Sequence, residues 1–148
     1  MNKELVSAII TTHDRDPEIV LRAVNSVLNQ TYDKIELIVV DDSSDHYPKR
    51  NAVENAVKAV SSGVVYIRHA ENQGPCAARN AGLAQAKGYY VAFLDDDDEW
   101  VPDKIDEQLK GFSDDNVALV YGGITIIDEV RNKKYAAHIL YNRASCKI

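Results

Sequence analysis

Residues 89–100 read YYVAFLDDDDEW, six apolar or aromatic residues that run into four aspartates, a glutamate and a tryptophan. Gly88 precedes the apolar run, which is too short for a buried helix. Six residues of this kind between a glycine and a polar cluster predict a buried strand. Its end is the difficulty. Two unit charges ~4 Å apart at an effective dielectric of ~20 repel by ~4 kcal/mol. A fold keeps such a cluster where water screens it, where a proton is shared, or where a cation sits on it.

The pattern repeats upstream. Residues 5–10 (LVSAII) form a short run that ends in TTHDRD, and residues 35–40 (IELIVV) end in DDSSD. Residues 64–69 (VVYIRH) make a further strand. Helices are predicted between them. Asp16 and Pro17 suit an N-cap and a first helical position, and Ile19, Val20, Ala23, Val24, Val27 and Leu28 follow at helical spacing. A polar helix spans roughly 49–61, and Pro75 opens another that runs to about Lys87. Pro102 and Asp103 start a fourth, with Ile105, Leu109 and Phe112 on one face, and VALVY and ITIID are later strands. Strands alternating with helices predict an α/β fold, a three-layer sandwich around a mostly parallel sheet. Ligands of such sheets bind at the carboxyl ends of the strands, where the three polar clusters converge.

Bulk properties narrow the function classes. The 148 residues fit one domain with a real core, and a net charge of -6 argues against a nucleic-acid partner. Cys76 and Cys146 are too few for a disulfide framework, which favours the cytoplasm. No stretch of ~20 apolar residues is present to span a membrane, and attachment at its inner face stays open. There is no G-x-G-x-x-G after a strand, no P-loop, no G-x-S-x-G elbow, and no glycine at the sixth position of an EF-hand loop counted from Asp95.

The acids invite a metal. In an extended segment Asp95 and Asp97 point one way and Asp96 and Asp98 the other. Mg²⁺ or Mn²⁺ suits one or two carboxylates plus phosphate oxygens. An isolated acidic run is usually a solvated turn, but this one follows an apolar strand at the ligand edge. Asp41 and Asp42 are placed either to accept from ribose hydroxyls or to cap a turn. The segment NQGPCAARNAG (72–82) carries a glycine turn into a helix whose N-terminus attracts anions. One turn in, Arg79 is placed to meet a phosphate or to pair with an acid. His13 is a stacking group or a plain loop histidine, Cys76 a small packing residue, and Trp100 a core or pocket-wall residue.

In ordered blocks the chain resembles the family 2 glycosyltransferases of the GT-A fold. The blocks are VSAIITTHDR, AVNSVLNQTYDKIELIVVDDSSD and ENQGPCAARNAGLAQAKGYYVAFLDDDDEWVPDKI. The resemblance implies a GT-A type, Rossmann-like fold and transfer of a sugar from a nucleotide-diphosphate sugar, UDP-sugar favoured, to an acceptor hydroxyl, with inversion and with Mn²⁺ or Mg²⁺. Thr11 and His13 would line the base pocket, Asp41 and Asp42 contact base or ribose, and Arg79 lie near the sugar nucleotide. Asp95 and Asp97 match the D-x-D pattern as metal ligands, with Asp96 between them in a ribose or metal role. The implied partners are a nucleotide-sugar donor and a carbohydrate or lipid-linked acceptor in cell-wall or polysaccharide biosynthesis; a homodimer stays open. The opening loop departs from the family's proline, threonine, aromatic, asparagine pattern, reading Thr11, Thr12, His13, Asp14. The family's catalytic base is expected beyond Ile148, since Asp128 and Glu129 come too early, which predicts a chain cut short on its acceptor side. The alternatives are a binding fragment without turnover, a sugar-phosphate nucleotidyltransferase, whose basic glycine-rich loop is missing from TTHDRDPE, and a phospho-receiver module, for which no lysine is placed.

Overall fold

The computed structural model describes residues 4–113, 116–128, 130–137 and 144–145. The chain divides into two compact units, through Pro102 and from Asp103 onward. The first contains β1 (Val6–Thr12), α1 (Pro17–Leu28), β2 (Ile35–Asp41), α2 (Arg50–Val60), β3 (Val65–Arg68), α3 (Pro75–Gln85) and β4 (Tyr90–Asp95). Its four strands are all parallel, in the order β3-β2-β1-β4. The central strands are apolar but for Ser7 and Glu36 ahead of their polar ends, because helices cover both faces. Val6, Ala8, Ile9 and Ile10 of β1 and Leu37, Ile38, Val39 and Val40 of β2 are all buried.

The connections set the layers. From β1 through α1 to β2 and through α2 to β3 the chain moves in one direction across the sheet. It then returns through α3 to β4 on the far side of β1. Right-handed crossovers put helices on opposite faces when the direction reverses. So α1 and α2 share one face and α3 takes the other, where Ile9, Ile38, Val40 and Ala78 form a buried cluster. The reversal makes the gap between β1 and β4 the topological switch point.

Local chemistry explains the helices. Pro17 opens α1 after Asp16 in extended conformation, and Val20, Ala23, Val24 and Val27 bury one stripe. In α2 the buried stripe is Arg50, Val53 and Val57, so a charged residue lies in phase with the apolar ones. Gly74, at φ 88°, turns the chain into Pro75 and α3, which ends at Gln85, short of the expected Lys87. The expected start near Pro102 becomes a helix α4 over Lys104–Leu109, with Asp103 as its N-cap.

Gly82 of α3 lies against the sheet. A Cβ there would meet the buried Ile9 Cγ2 at 2.5 Å. Overpacking of this kind costs ~1–3 kcal/mol, and the better helix propensity of alanine returns at most ~1 kcal/mol. Gly82→Ala is therefore expected to lower the urea midpoint. An unchanged midpoint would show that Ile9 moves aside freely.

The second unit holds α4, a 3₁₀ turn (Lys110–Phe112), β5 (Val117–Leu119), β6 (Ile124–Asp128), β7 (Lys133–Ala137) and β8 (Ala144–Ser145). β6 and β7 form an antiparallel hairpin, and β5 pairs antiparallel with β8. Cys146 and Glu129 lie outside the described residues.

Candidate functional site

At the switch point Thr11 of β1 is the register partner of Asp95 of β4. The half-buried Thr11 therefore stands beside the first aspartate of the cluster. The extended strand stops there. The Asp98 N–H donates to the Asp95 carbonyl at 3.2 Å, closing a turn over residues 95–98. The alternation expected to aim Asp95 and Asp97 together holds only in extended backbone, and here the chain turns after Asp95. Asp96 and Asp97 reach one common partner, and Asp95 reaches another.

Those partners are guanidinium groups. Arg15 Nε donates to Asp96 Oδ1 at 3.1 Å, and Arg15 Nη2 donates to Asp97 Oδ2 at 2.7 Å. Arg79 Nη2 donates to Asp95 Oδ1 at 2.8 Å. The His13 N–H approaches Asp96 Oδ2 at 3.4 Å, and Asp96 is buried. Two fixed cations thus offset three carboxylates, and of the two placements open to Arg79 the structure shows the ion pair. Asp98 has no such partner among the described residues. Its carboxyl is pushed up by loss of water and by the charges of Asp97, Asp95 and Asp96.

The second acidic pair belongs to the scaffold. Asp41 is 1% exposed, accepts from Arg50 Nε at 3.0 Å, from the Tyr66 hydroxyl at 3.1 Å and from the Ser43 N–H at 2.9 Å. Arg50, also buried, donates through Nη2 to the carbonyls of Asp41 and His69 and through Nη1 to Asp45. Asp42 is 4% exposed and accepts from the N–H groups of Gln73 and Gly74 at 2.9 and 2.8 Å and from His69 Nδ1 at 2.6 Å. Burial pushes the Asp42 carboxyl up, but the Gln73, His69 and Gly74 hydrogen bonds and the His69 charge outweigh it and hold it below its ordinary value. In this arrangement every carboxylate oxygen of Asp41 and Asp42, the pair expected to contact base or ribose, already accepts from the protein's own donors. Both are consumed in tying the end of β2 to α2 and to the loop that opens α3.

His13 is half exposed, and its Nδ1–H tautomer donates to the Asp42 carbonyl at 3.1 Å. Asn72 Nδ2 lies 3.0 Å from the same ring nitrogen. The same Asn72 Nδ2 lies 3.2 Å from Nε2, so the amide sits over one face of the imidazole and leaves the other for a ligand. Cys76 is exposed in the first turn of α3, not packed as expected. Trp100 is buried and walls a cleft of about 430 Å³ with Arg22, Asn25, Ser26 and Asn29.

The model of the glycosyl transferase family 2 matches residues 7–146. The chain belongs to glycosyl transferase family 2. Among relatives, it is 37% identical over 125 residues to the UDP-Glc:alpha-D-GlcNAc-diphosphoundecaprenol beta-1,3-glucosyltransferase WfaP of Escherichia coli, covering 83% of this chain and 47% of that one. Solved structures agree on the GT-A type fold. Staphylococcus aureus TarS 1-349 in complex with UDP superposes with a TM-score of 0.61 at 25% identity, over 76% of this chain and 32% of that one. The mannosyltransferase PcManGT of Pyrobaculum calidifontis, in complex with GDP-Man and Mn²⁺, gives a TM-score of 0.67 at 24% identity, over 88% and 37%. The family 2 chain described here spans half or less of the length of the first curated relatives it matches.

Sequence reasoning missed Arg15, Arg50 and His69. Arg15 had a legible signal, a cation in the loop after β1 at the ligand edge. Arg50 had one too, three residues before Val53 and seven before Val57 on the buried stripe.

The donor set bears on the metal that the resemblance implies. Among the described residues no three His, Cys, Asp or Glu side chains are grouped closely enough to hold an ion. Asp95 and Asp97 are nonetheless 56% and 52% exposed, and each is engaged by a single guanidinium nitrogen. Hard oxygen donors of this number fit Mg²⁺ or Mn²⁺ that completes its shell with phosphate oxygens and water. No helix among the described residues is long and apolar enough to cross a membrane.

Proposed function

We propose that this chain is the donor-binding part of a metal-dependent, inverting glycosyltransferase that uses a UDP-sugar and a carbohydrate or lipid-linked acceptor. The observation that carries it is the set of three aspartates and two arginines at the β1–β4 switch point, in a chain whose relatives include an enzyme named for UDP-Glc. Bound there by Asp97 and Asp95, Mg²⁺ or Mn²⁺ would neutralise charge growing on the departing diphosphate.

The chain's own residues supply the rest. Thr11 and His13 form the wall against which the nucleoside lies, with the imidazole face available for stacking. Asp42 acts at one remove, fixing the Gln73–Gly74 turn and the His13 ring through its carbonyl. Arg79 projects from the rigid α3 toward Asp95 and is placed to meet a phosphate when that carboxylate takes another cation. Asp96, buried against Arg15, keeps the turn closed beneath the sugar. Fixed charges of this kind need no reorganisation as the leaving group departs.

Calorimetric titration of UDP, with and without Mn²⁺, tests the donor half. Mn²⁺ is expected to raise UDP affinity about tenfold, or ~1.4 kcal/mol. Asp97→Ala should remove most of that gain. Equal affinities with and without metal, or full gain in the variant, would sink the metal role. A turnover assay on this stretch against a longer version separates a competent enzyme from a binding fragment.

A further inference from the structure

Arg15 sits between two anchored neighbours, and its own side chain, 39% exposed, is held at Nε and Nη2. Before it, Asp14 adopts φ 49°, a left-handed conformation that few residues other than glycine tolerate. The Asp14 N–H donates to Ser43 Oγ at 2.9 Å. After it, the Asp16 carboxylate accepts from Lys49 Nζ at 2.5 Å, so it caps no helical N–H and instead ties the loop to the segment before α2. The reversal at Asp14 aims the arginine back over the 95–98 turn. There its fork bridges Asp96, which is buried, and Asp97, which is not. The Asp96 side of the bridge is fixed, and the Asp97 side is open to exchange.

We infer that Arg15 is an internal counter-ion that competes with a divalent cation for Asp97 and is released toward the donor diphosphate when the cation binds. This rests on the proposed donor site. The Arg15 guanidinium on Asp97 Oδ2 offsets the carboxylate's charge and repels a dication brought to the same group, so the two oppose each other there. Arg15 can leave Asp97 by rotating its side chain alone, since the backbone ties at Asp14 and Asp16 do not involve it. A diphosphate offers the displaced planar fork two oxygens for bidentate contact. Arg15 thereby becomes a positioning residue that links the two ligands. The cation frees the arginine, and the phosphates hold it away from the cation's ligand. Metal and nucleotide binding should each strengthen the other, as linkage requires.

Binding of Mn²⁺ alone, followed by electron paramagnetic resonance, and of UDP alone, followed by calorimetry, tests this without any turnover. Arg15→Ala is expected to tighten Mn²⁺ on the order of tenfold, to weaken metal-free UDP several-fold, and to shrink the mutual enhancement of the two ligands. Lys58→Ala removes the same unit charge from an exposed pair with Glu54 on α2 and should change none of the three. Arg15→Lys keeps the charge without the fork and should keep Mn²⁺ weak while still losing metal-free UDP affinity. An Arg15→Ala protein that is folded by circular dichroism and binds Mn²⁺ no more tightly than wild type, or an equal gain in Lys58→Ala, would overturn the competition. A wild-type chain that binds neither UDP nor Mn²⁺ would instead overturn the donor site itself, and this role with it.

Discussion

Arg50→Ala is expected to cost about 3–5 kcal/mol of stability, the range for breaking a buried ion pair from one side. A domain of this size has ~5–15 kcal/mol in all, so the variant should lie close to unfolding at 37 °C. The cause is what remains. Asp41 is 1% exposed and keeps only the Ser43 N–H and the Tyr66 hydroxyl once Arg50 is gone. The His69 carbonyl also loses the Arg50 donor, while the Asp41 carbonyl keeps the His69 N–H at 3.0 Å. Arg50→Met restores the volume but not the charge and should be nearly as unstable. The double variant Arg50→Met with Asp41→Asn should recover part of the loss, because asparagine still accepts from Ser43 and buries no charge. Urea unfolding of the three proteins checks this. A loss below ~1 kcal/mol in Arg50→Ala would mean that water reaches Asp41 in its place.

The same network shows what the sequence could and could not convey. The strands were legible from their short apolar runs, residues 37–40 and 89–94 among them. But β4 lies at the edge of its sheet and leaves Val91 and Phe93 exposed, with Tyr89 just before them, so the burial expected of this run does not hold on both faces. α1 was legible from Pro17 and a clean apolar stripe. The convergence of TTHDRD, DDSSD and DDDDEW followed from topology alone. Partner choice did not. Asp41 and Asp42 are neighbours in sequence, yet their side chains leave β2 on opposite faces. One meets Arg50 at the start of α2 and the other the turn before α3. No local pattern records that both are fully engaged. Partner choice in the acidic run was hidden for a related reason. Arg15, 81 residues before Asp96 in sequence, crosses the switch point to offset part of its charge. Spacing also could not show that the strand ends at Asp95, because four identical residues give no hint of where extended backbone becomes a turn.

Asp42→Ala is expected to lose about 2–4 kcal/mol at pH 7, since three donors around one buried carboxylate lose their acceptor at ~1–3 kcal/mol for each left unsatisfied. Partial rehydration of the exposed Gln73 keeps the total below the sum. The loss should depend on pH in a definite direction. The folded carboxyl is held below its ordinary value, so its contribution is fully present above the unfolded pKa of ~3.9 and is lost as pH falls through the folded value. Wild type and variant should therefore differ by a constant amount from pH 7 down to about 5 and converge below about 4. Glu36 and Glu54 are also held low and contribute to acid unfolding of both proteins, so the difference between the two curves isolates Asp42. The variant should also release the Gln73 and Gly74 amides to hydrogen exchange. Those amides fix the turn into α3, and α3 carries Arg79 to Asp95. If Asp42→Ala left amide protection and acid stability unchanged, the carboxylate would be free for a ligand, and the direct base or ribose contact would return as the better account of this residue.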